Sequence, residues 1–86
     1  MALGLISFYQ PGCIGCREQA PINTEVGKQL GITIEEIDVT ENPGSVKEFH
    51  LTVTPTTVIL NDSTVTERFE GVVYQEQLLE ALKKKR

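Results

Sequence analysis

The sequence has no tryptophan, one histidine, one methionine and only two cysteines in its 86 residues. Each scarcity excludes something. A secreted mini-protein stapled by disulfides normally carries four or more cysteines, so the pair here serves another purpose. A closed zinc site wants four ligands, and two cysteines with the distant His50 fall short of it. Basic residues are few: of eight Lys and Arg, four occupy the final positions Lys83-Lys84-Lys85-Arg86, leaving the rest strongly acidic. That balance argues against a nucleic-acid surface, which needs a basic face. The terminal basic run complements the negative end of a last helix. No apolar stretch approaches the roughly 18 residues of a membrane span, so no membrane partner is expected. The opening Met1 to Ile6 lacks a basic leader and enters alternating apolar residues. A signal peptide is therefore not expected, and a cytoplasmic location is. No Gly-rich phosphate loop is present, so no nucleotide, flavin or other cofactor is expected.

What is present is ordinary for a folded domain: 40% hydrophobic and 23% charged residues, enough chain for one core over 1–86. Leu3 to Tyr9 reads as a strand closed by the turn Gln10-Pro11-Gly12. A helix is predicted from Cys13 to about Leu30, with Ile14, Ala20, Ile22, Val26 and Leu30 as its apolar positions and Gly31 past its end. Pro21 should kink it. A second strand covers Ile32 to Val39, and a short helix begins at Asn42-Pro43-Gly44-Ser45 and reaches Phe49 or His50. Thr56 to Leu60 is a β-branched strand, Asn61-Asp62-Ser63 a hairpin turn, and Thr64 to Phe69 the returning strand, ended by Gly71. Tyr74 to Lys84 is an amphipathic helix with Leu78, Leu79 and Leu82 on one face. The order is β-α-β-α-β-β-α, with the first two strands parallel and the last two an antiparallel hairpin.

Cys13-Ile14-Gly15-Cys16 falls where a strand ends and a helix begins. Unpaired N–H groups and the dipole at a helix N-terminus favour negative charge. They would lower the Cys13 thiol from its free value near ~8.5. Cys16, one turn inside, is expected to be shielded. An activated outer thiolate and a shielded partner can exchange disulfides: Cys13 attacks, and Cys16 resolves the mixed disulfide. A C-x-x-C beside a βαβ pattern carries this redox reading. Two alternatives stand beside it: a metal or iron–sulfur cluster shared across a dimer, and an inert structural disulfide in a loop too short to gain much. Arg17 reads as solvated, since exposed ion pairs are weak. His50 reads as a helix-end residue, and Phe8, Tyr9, Phe49 and Phe69 as packing. Taken alone, Pro55 is a strand-start proline.

Several features in order resemble the thioredoxin family over nearly the whole chain. The strand Leu5 to Tyr9 leads into the cysteine motif, and Pro21 follows Cys16 by five residues, preceded by Ala20. Thr40-Glu41-Asn42-Pro43-Gly44 resembles the family's turn after its second strand, Thr54-Pro55-Thr56 its cis-proline, and Gly71 its late glycine. The resemblance implies an α/β thioredoxin fold in its minimal form, a four-stranded mixed sheet flanked by three helices. It further implies that Pro55 is cis and packs on the Cys13–Cys16 pair. Thr54 would offer its backbone to an extended partner segment, and Gly12 and Gly71-Val72 would line the docking surface. The implied activity is thiol–disulfide exchange by a monomer with disulfide-containing proteins, recharged by an external reductase of the thioredoxin reductase type or by glutathione.

Departures from the pattern are specific. The family's tryptophan before the first cysteine is Gly12, the pair between the cysteines is Ile14-Gly15, and the buried aspartate and its nearby lysine align with Ser7 and Glu36. Ser7 reads as a hydroxyl satisfied within its strand and Glu36 as a solvated strand residue. The chain also lacks thioredoxin's extra N-terminal strand and helix. That shorter outline resembles glutaredoxin, but a single Gly71 followed by Val72 stands in place of a glycine pair. Lys47 is the only basic candidate for a glutathione carboxylate. A glutathione-dependent reductase is the second reading, and a non-enzymatic module holding a metal or partner is the third.

Overall fold

The computed structural model describes residues 3–84. Met1 and Ala2 of the opening segment, and Lys85 and Arg86 of the basic run, lie outside the described residues. Seven elements follow in the expected order: β1 (Leu3–Tyr9), α1 (Ile14–Leu30), β2 (Thr33–Asp38), α2 (Pro43–Glu48), β3 (Thr56–Asn61), β4 (Thr64–Glu70) and α3 (Gln75–Lys84). The strands form one sheet in the order β2-β1-β3-β4, with β1 parallel to β2 and antiparallel to β3.

The central β1 is buried on both faces, because its side chains alternate. Leu5 joins Val26, Ile59, Leu78, Ala81 and Leu82 in a layer between the sheet and the helices α1 and α3. Ile6 and Phe8 point the other way, with Val58, Ile37, Val39, Phe49 and Leu51. Phe8 and Phe49 pack with ring centroids 4.9 Å apart. The edge strand β2 explains its own Glu35-Glu36 interruption. Ile32 and Ile34 pack on the first layer and Ile37 and Val39 on the second, so the buried face changes midway and both glutamates stay exposed.

The helices refine the expected pattern. The face of α1 turned to the interior is Cys16, Gln19, Asn23 and Val26, whereas Ile14 is 80% exposed. A 3.6-residue period counted from Cys16 passes through those positions, and polar identities at two of them hid the stripe. The helix continues unbroken across Pro21, which is exposed. In α3, Ala81 joins Leu78 and Leu82 in the buried set while Leu79 packs against it partly buried, and Tyr74 precedes the helix. Beyond α2, His50 takes a left-handed φ of 54°. Its carbonyl and that of Phe49 accept from the Arg68 guanidinium of β4 at 2.6 and 2.5 Å. A strand side chain thus satisfies the orphan carbonyls of this short helix.

The β3–β4 turn is two residues, Asp62 and Ser63, with φ of 51° and 72°. Two consecutive positive φ values match the twist of a tight hairpin. Ile59 pairs with Glu67 and Leu60 with Val65, leaving Thr66 as an extra bulged residue.

Two predictions follow from the packing around β2. A Cβ on Gly27 of α1 would lie 2.7 Å from Ile34 Cγ1. Alanine gains about 1 kcal/mol in helix propensity over glycine, while overpacking a stiff branched neighbour costs about 1–3 kcal/mol. Gly27→Ala should therefore lower the urea midpoint with an unchanged slope. At the end of β2, the exposed Asp38 carboxylate accepts from the Thr40 hydroxyl at 2.6 Å and the Thr40 N–H at 2.9 Å. The hydroxyl first, and then the backbone N–H groups, hold it below the ordinary carboxylate range. A depressed pKa stabilises above the unfolded value of about 3.9 and is lost as pH falls through the lower folded one. Asp38→Asn should flatten the acid limb of stability below about pH 4, read from urea midpoints across that range.

Candidate active site

β1 delivers the chain to the sheet's end, and Gly12 turns it with φ of 79°, a conformation that glycine adopts without strain. Cys13 is extended (φ −93°, ψ 113°) and serves as the N-cap of α1. Its sulfur does the work a serine oxygen usually does at that position: it accepts the Cys16 N–H at 3.1 Å. Helix geometry brings the two Cα atoms to 5.2 Å, and the sulfurs are joined in a disulfide. Cys16 is 8% exposed, and Cys13 is half-buried at the rim. The pair thus presents one approachable sulfur with the other behind it.

The segment before β3 closes over this sulfur. The Thr54 hydroxyl donates to Cys13 Sγ at 3.6 Å, a reach suited to a large sulfur acceptor, and the Thr54 carbonyl lies 3.6 Å from the same atom. The Thr54–Pro55 peptide bond is cis. Pro55 is buried, and its ring lies so close to α1 that a Cβ on Gly15 would stand 3.1 Å from Pro55 Cδ and 3.2 Å from Val72 Cγ2. The Gly71 N–H donates to the Pro55 carbonyl at 2.8 Å. Gly12, Cys13, Cys16, Thr54, Pro55 and Gly71, remote in sequence, are therefore assembled at one end of the sheet.

A pocket beside the disulfide is lined by Ser7, Cys16, Arg17 and Glu36 among others. Ser7 and Glu36 are register neighbours on β1 and β2. Among the described residues no hydrogen bond engages the Ser7 hydroxyl within its strand, where one was expected. It is buried, yet it opens onto this pocket, because the face of β1 that carries it lies beneath the first turn of α1. Glu36 and Arg17 are exposed, and among the described residues neither is in an ion pair. His50 lies away from this pocket, with its carbonyl bonded to Arg68 and its N–H to the Lys47 carbonyl.

A family model described as thioredoxin matches residues 2–84. The chain belongs to the thioredoxin family. The thioredoxin of Bacillus subtilis is 32% identical over 82 residues, covering 93% of this chain and 79% of its own. Chloroplastic thioredoxin Y2 of Arabidopsis thaliana is 30% identical over 80 residues, covering 91% of this chain and 48% of its own. The chain thus spans about half the length of that chloroplastic relative. Among solved structures, a malaria parasite thioredoxin-2 superposes with a TM-score of 0.91 at 22% identity, over 96% of this chain and 82% of that one. Fasciola hepatica thioredoxin gives 0.88 at 24%, over 99% and 82%. These structural likenesses establish the thioredoxin fold.

One residue behind the site escaped the sequence reading. Gln19, a turn beyond Cys16, is 1% exposed and bonded at both ends of its amide. Its helical spacing from Cys16 was the available signal, masked by its polarity.

Thr54 supplies the next prediction. Its hydroxyl donates to Cys13 Sγ and would stabilise a thiolate there in the reduced protein, so Thr54→Val removes a donor while keeping shape. Hydrogen bonds to charged groups contribute about 1.5–3 kcal/mol, and at 3.6 Å this one belongs at the low end. Alkylation of Cys13 at neutral pH should slow by roughly tenfold, about 1.4 kcal/mol, with its half-maximal rate moved to higher pH.

Proposed function

We propose that this thioredoxin-family chain is a monomeric dithiol–disulfide carrier serving disulfide-containing proteins. The observation that carries the reading is the half-buried Cys13 sulfur, held by the Cys16 N–H at a helix N-terminus with Cys16 behind it. In the reduced protein the Cys13 thiolate attacks one sulfur of the partner's disulfide. That S–S bond breaks, the departing thiolate takes a proton, and a mixed disulfide forms. Cys16 then loses its proton and attacks Cys13 Sγ, which releases the second partner thiol. Two electrons pass to the partner, and the Cys13–Cys16 disulfide remains.

The Thr54 backbone beside Cys13 pairs with an extended partner segment, and Gly12 and Gly71 leave room for it on either side. Pro55 fixes that edge at the height of the sulfur. Regeneration requires an external reductase of the thioredoxin reductase type. A reducing cytoplasm is the setting that suits such a carrier. Among the described residues no helix is long and apolar enough to cross a membrane.

The protein should oxidise NADPH when coupled through thioredoxin reductase to reduction of insulin disulfides, and a Cys13→Ser variant should not. Cys16→Ser should trap the partner as a mixed disulfide on Cys13, visible by mass spectrometry. A partner trapped instead by Cys13→Ser would reverse the two roles. Coupling only through glutathione and its reductase would replace the reductase assignment.

A further inference from the structure

The loop between β4 and α3, Gly71 to Tyr74, has no regular backbone ladder of its own, yet it flanks the disulfide. What holds it comes from elsewhere. Gly71 is tied to Pro55 through its N–H. Val73 is tied on both sides of its backbone to one side chain, Gln19, whose Oε1 accepts the Val73 N–H at 2.8 Å and whose Nε2 donates to the Val73 carbonyl at 2.9 Å. The same Nε2 donates to Asn23 Oδ1 at 3.0 Å. An outer tie joins the Tyr74 hydroxyl to Glu18 at 3.2 Å, again on α1.

A side-chain amide paired with both polar groups of one residue reproduces a rung of β-ladder. It fixes the position and the plane of the backbone at that point. Between the tied residues sits Val72, whose side chain abuts Gly15, while among the described residues no hydrogen bond engages its backbone. Gln19 and the disulfide share α1, one turn apart, so the loop's height is set relative to the reacting sulfur by a rigid element. An apolar residue at position 19 would fill the space without fixing the loop. A buried amide is penalised when left unpaired, so alternative loop positions are disfavoured.

We propose that Gln19 is a positioning residue for partner docking: by clamping Val73 it holds Gly71 and Val72 beside Cys13, at the height an incoming protein segment requires. This rests on the carrier reading above. The clamp acts on binding of an extended chain, not on the sulfur itself. Gln19→Met, similar in length and unable to bond the loop, should raise KM for insulin by roughly tenfold, the equivalent of one to two net hydrogen bonds. Its kcat, and its rate with dipyridyl disulfide, which presents no chain to dock, should stay within about twofold. In the wild type the Val73 amide should exchange with solvent as slowly as the β1 amides.

An insulin KM unchanged in Gln19→Met, with only the unfolding midpoint lowered, overturns the proposal and leaves Gln19 a structural residue. So does a wild-type Val73 amide that exchanges as fast as those of the Asp62–Ser63 turn, a measurement that stands even if the variant fails to fold. A wild type that reduces neither insulin nor dipyridyl disulfide sinks the carrier reading instead, and the docking role with it.

Discussion

Everything at the reactive end of this protein depends on one sulfur standing where a helix would otherwise have a hydroxyl cap. The first N–H groups of α1 have no partners within the helix, and Cys13 Sγ takes the one from Cys16. The bond that caps the helix is also the one that favours charge on the sulfur. Helix capping and the placement of this sulfur are therefore the same event. The C-x-x-C spacing follows from this: a second sulfur one turn on lies beneath the first and remains largely buried.

The rest of the fold serves that junction by bringing distant backbone to it. β1 and β3 pair antiparallel, so the end of β1 that feeds the cysteines lies beside the start of β3, where Thr54 and Pro55 enter. The β4–α3 loop returns to the same end because β4 pairs antiparallel with β3. Among the described residues, the polar groups buried in the interior are neutral. Ser7, Gln19, Asn23 and Thr57 are all buried, with Ser7 opposite Thr57 in register. Gln19 and Asn23 bond each other, while Ser7 opens to the pocket it shares with Cys16 and Glu36. Neutral groups avoid the larger desolvation cost of a buried carboxylate, and the acidic side chain is left at the exposed edge on β2.

Much of this was legible residue by residue. The seven elements and their order came from local signals: β-branched runs, the Asn42-Pro43 and Gly31 boundaries, and the apolar stripe of α3. Element ends moved by a residue or so, as fraying ends do. The errors share a cause. On α1, polar residues at interior positions defeat a pattern that counts only apolar ones, so the exposed Ile14 stands among its apolar positions and the buried Gln19 does not. The Ser7 environment was likewise out of reach, since it depends on what α1 lays over that strand.

By itself the sequence determined the fold class and the place of the Cys13–Cys16 pair at a strand-to-helix junction, because strand, turn and helix start are set within a few residues of each other. The tertiary structure alone decided what surrounds the sulfur: the Thr54 hydroxyl from 41 residues away, the Pro55 ring on Gly15, and the Gln19 clamp on a loop 54 residues distant. Local propensity is short-ranged and can be read in order along a chain. Contacts between remote segments depend on register, twist and packing, which exist only once the sheet has closed and the helices lie on it.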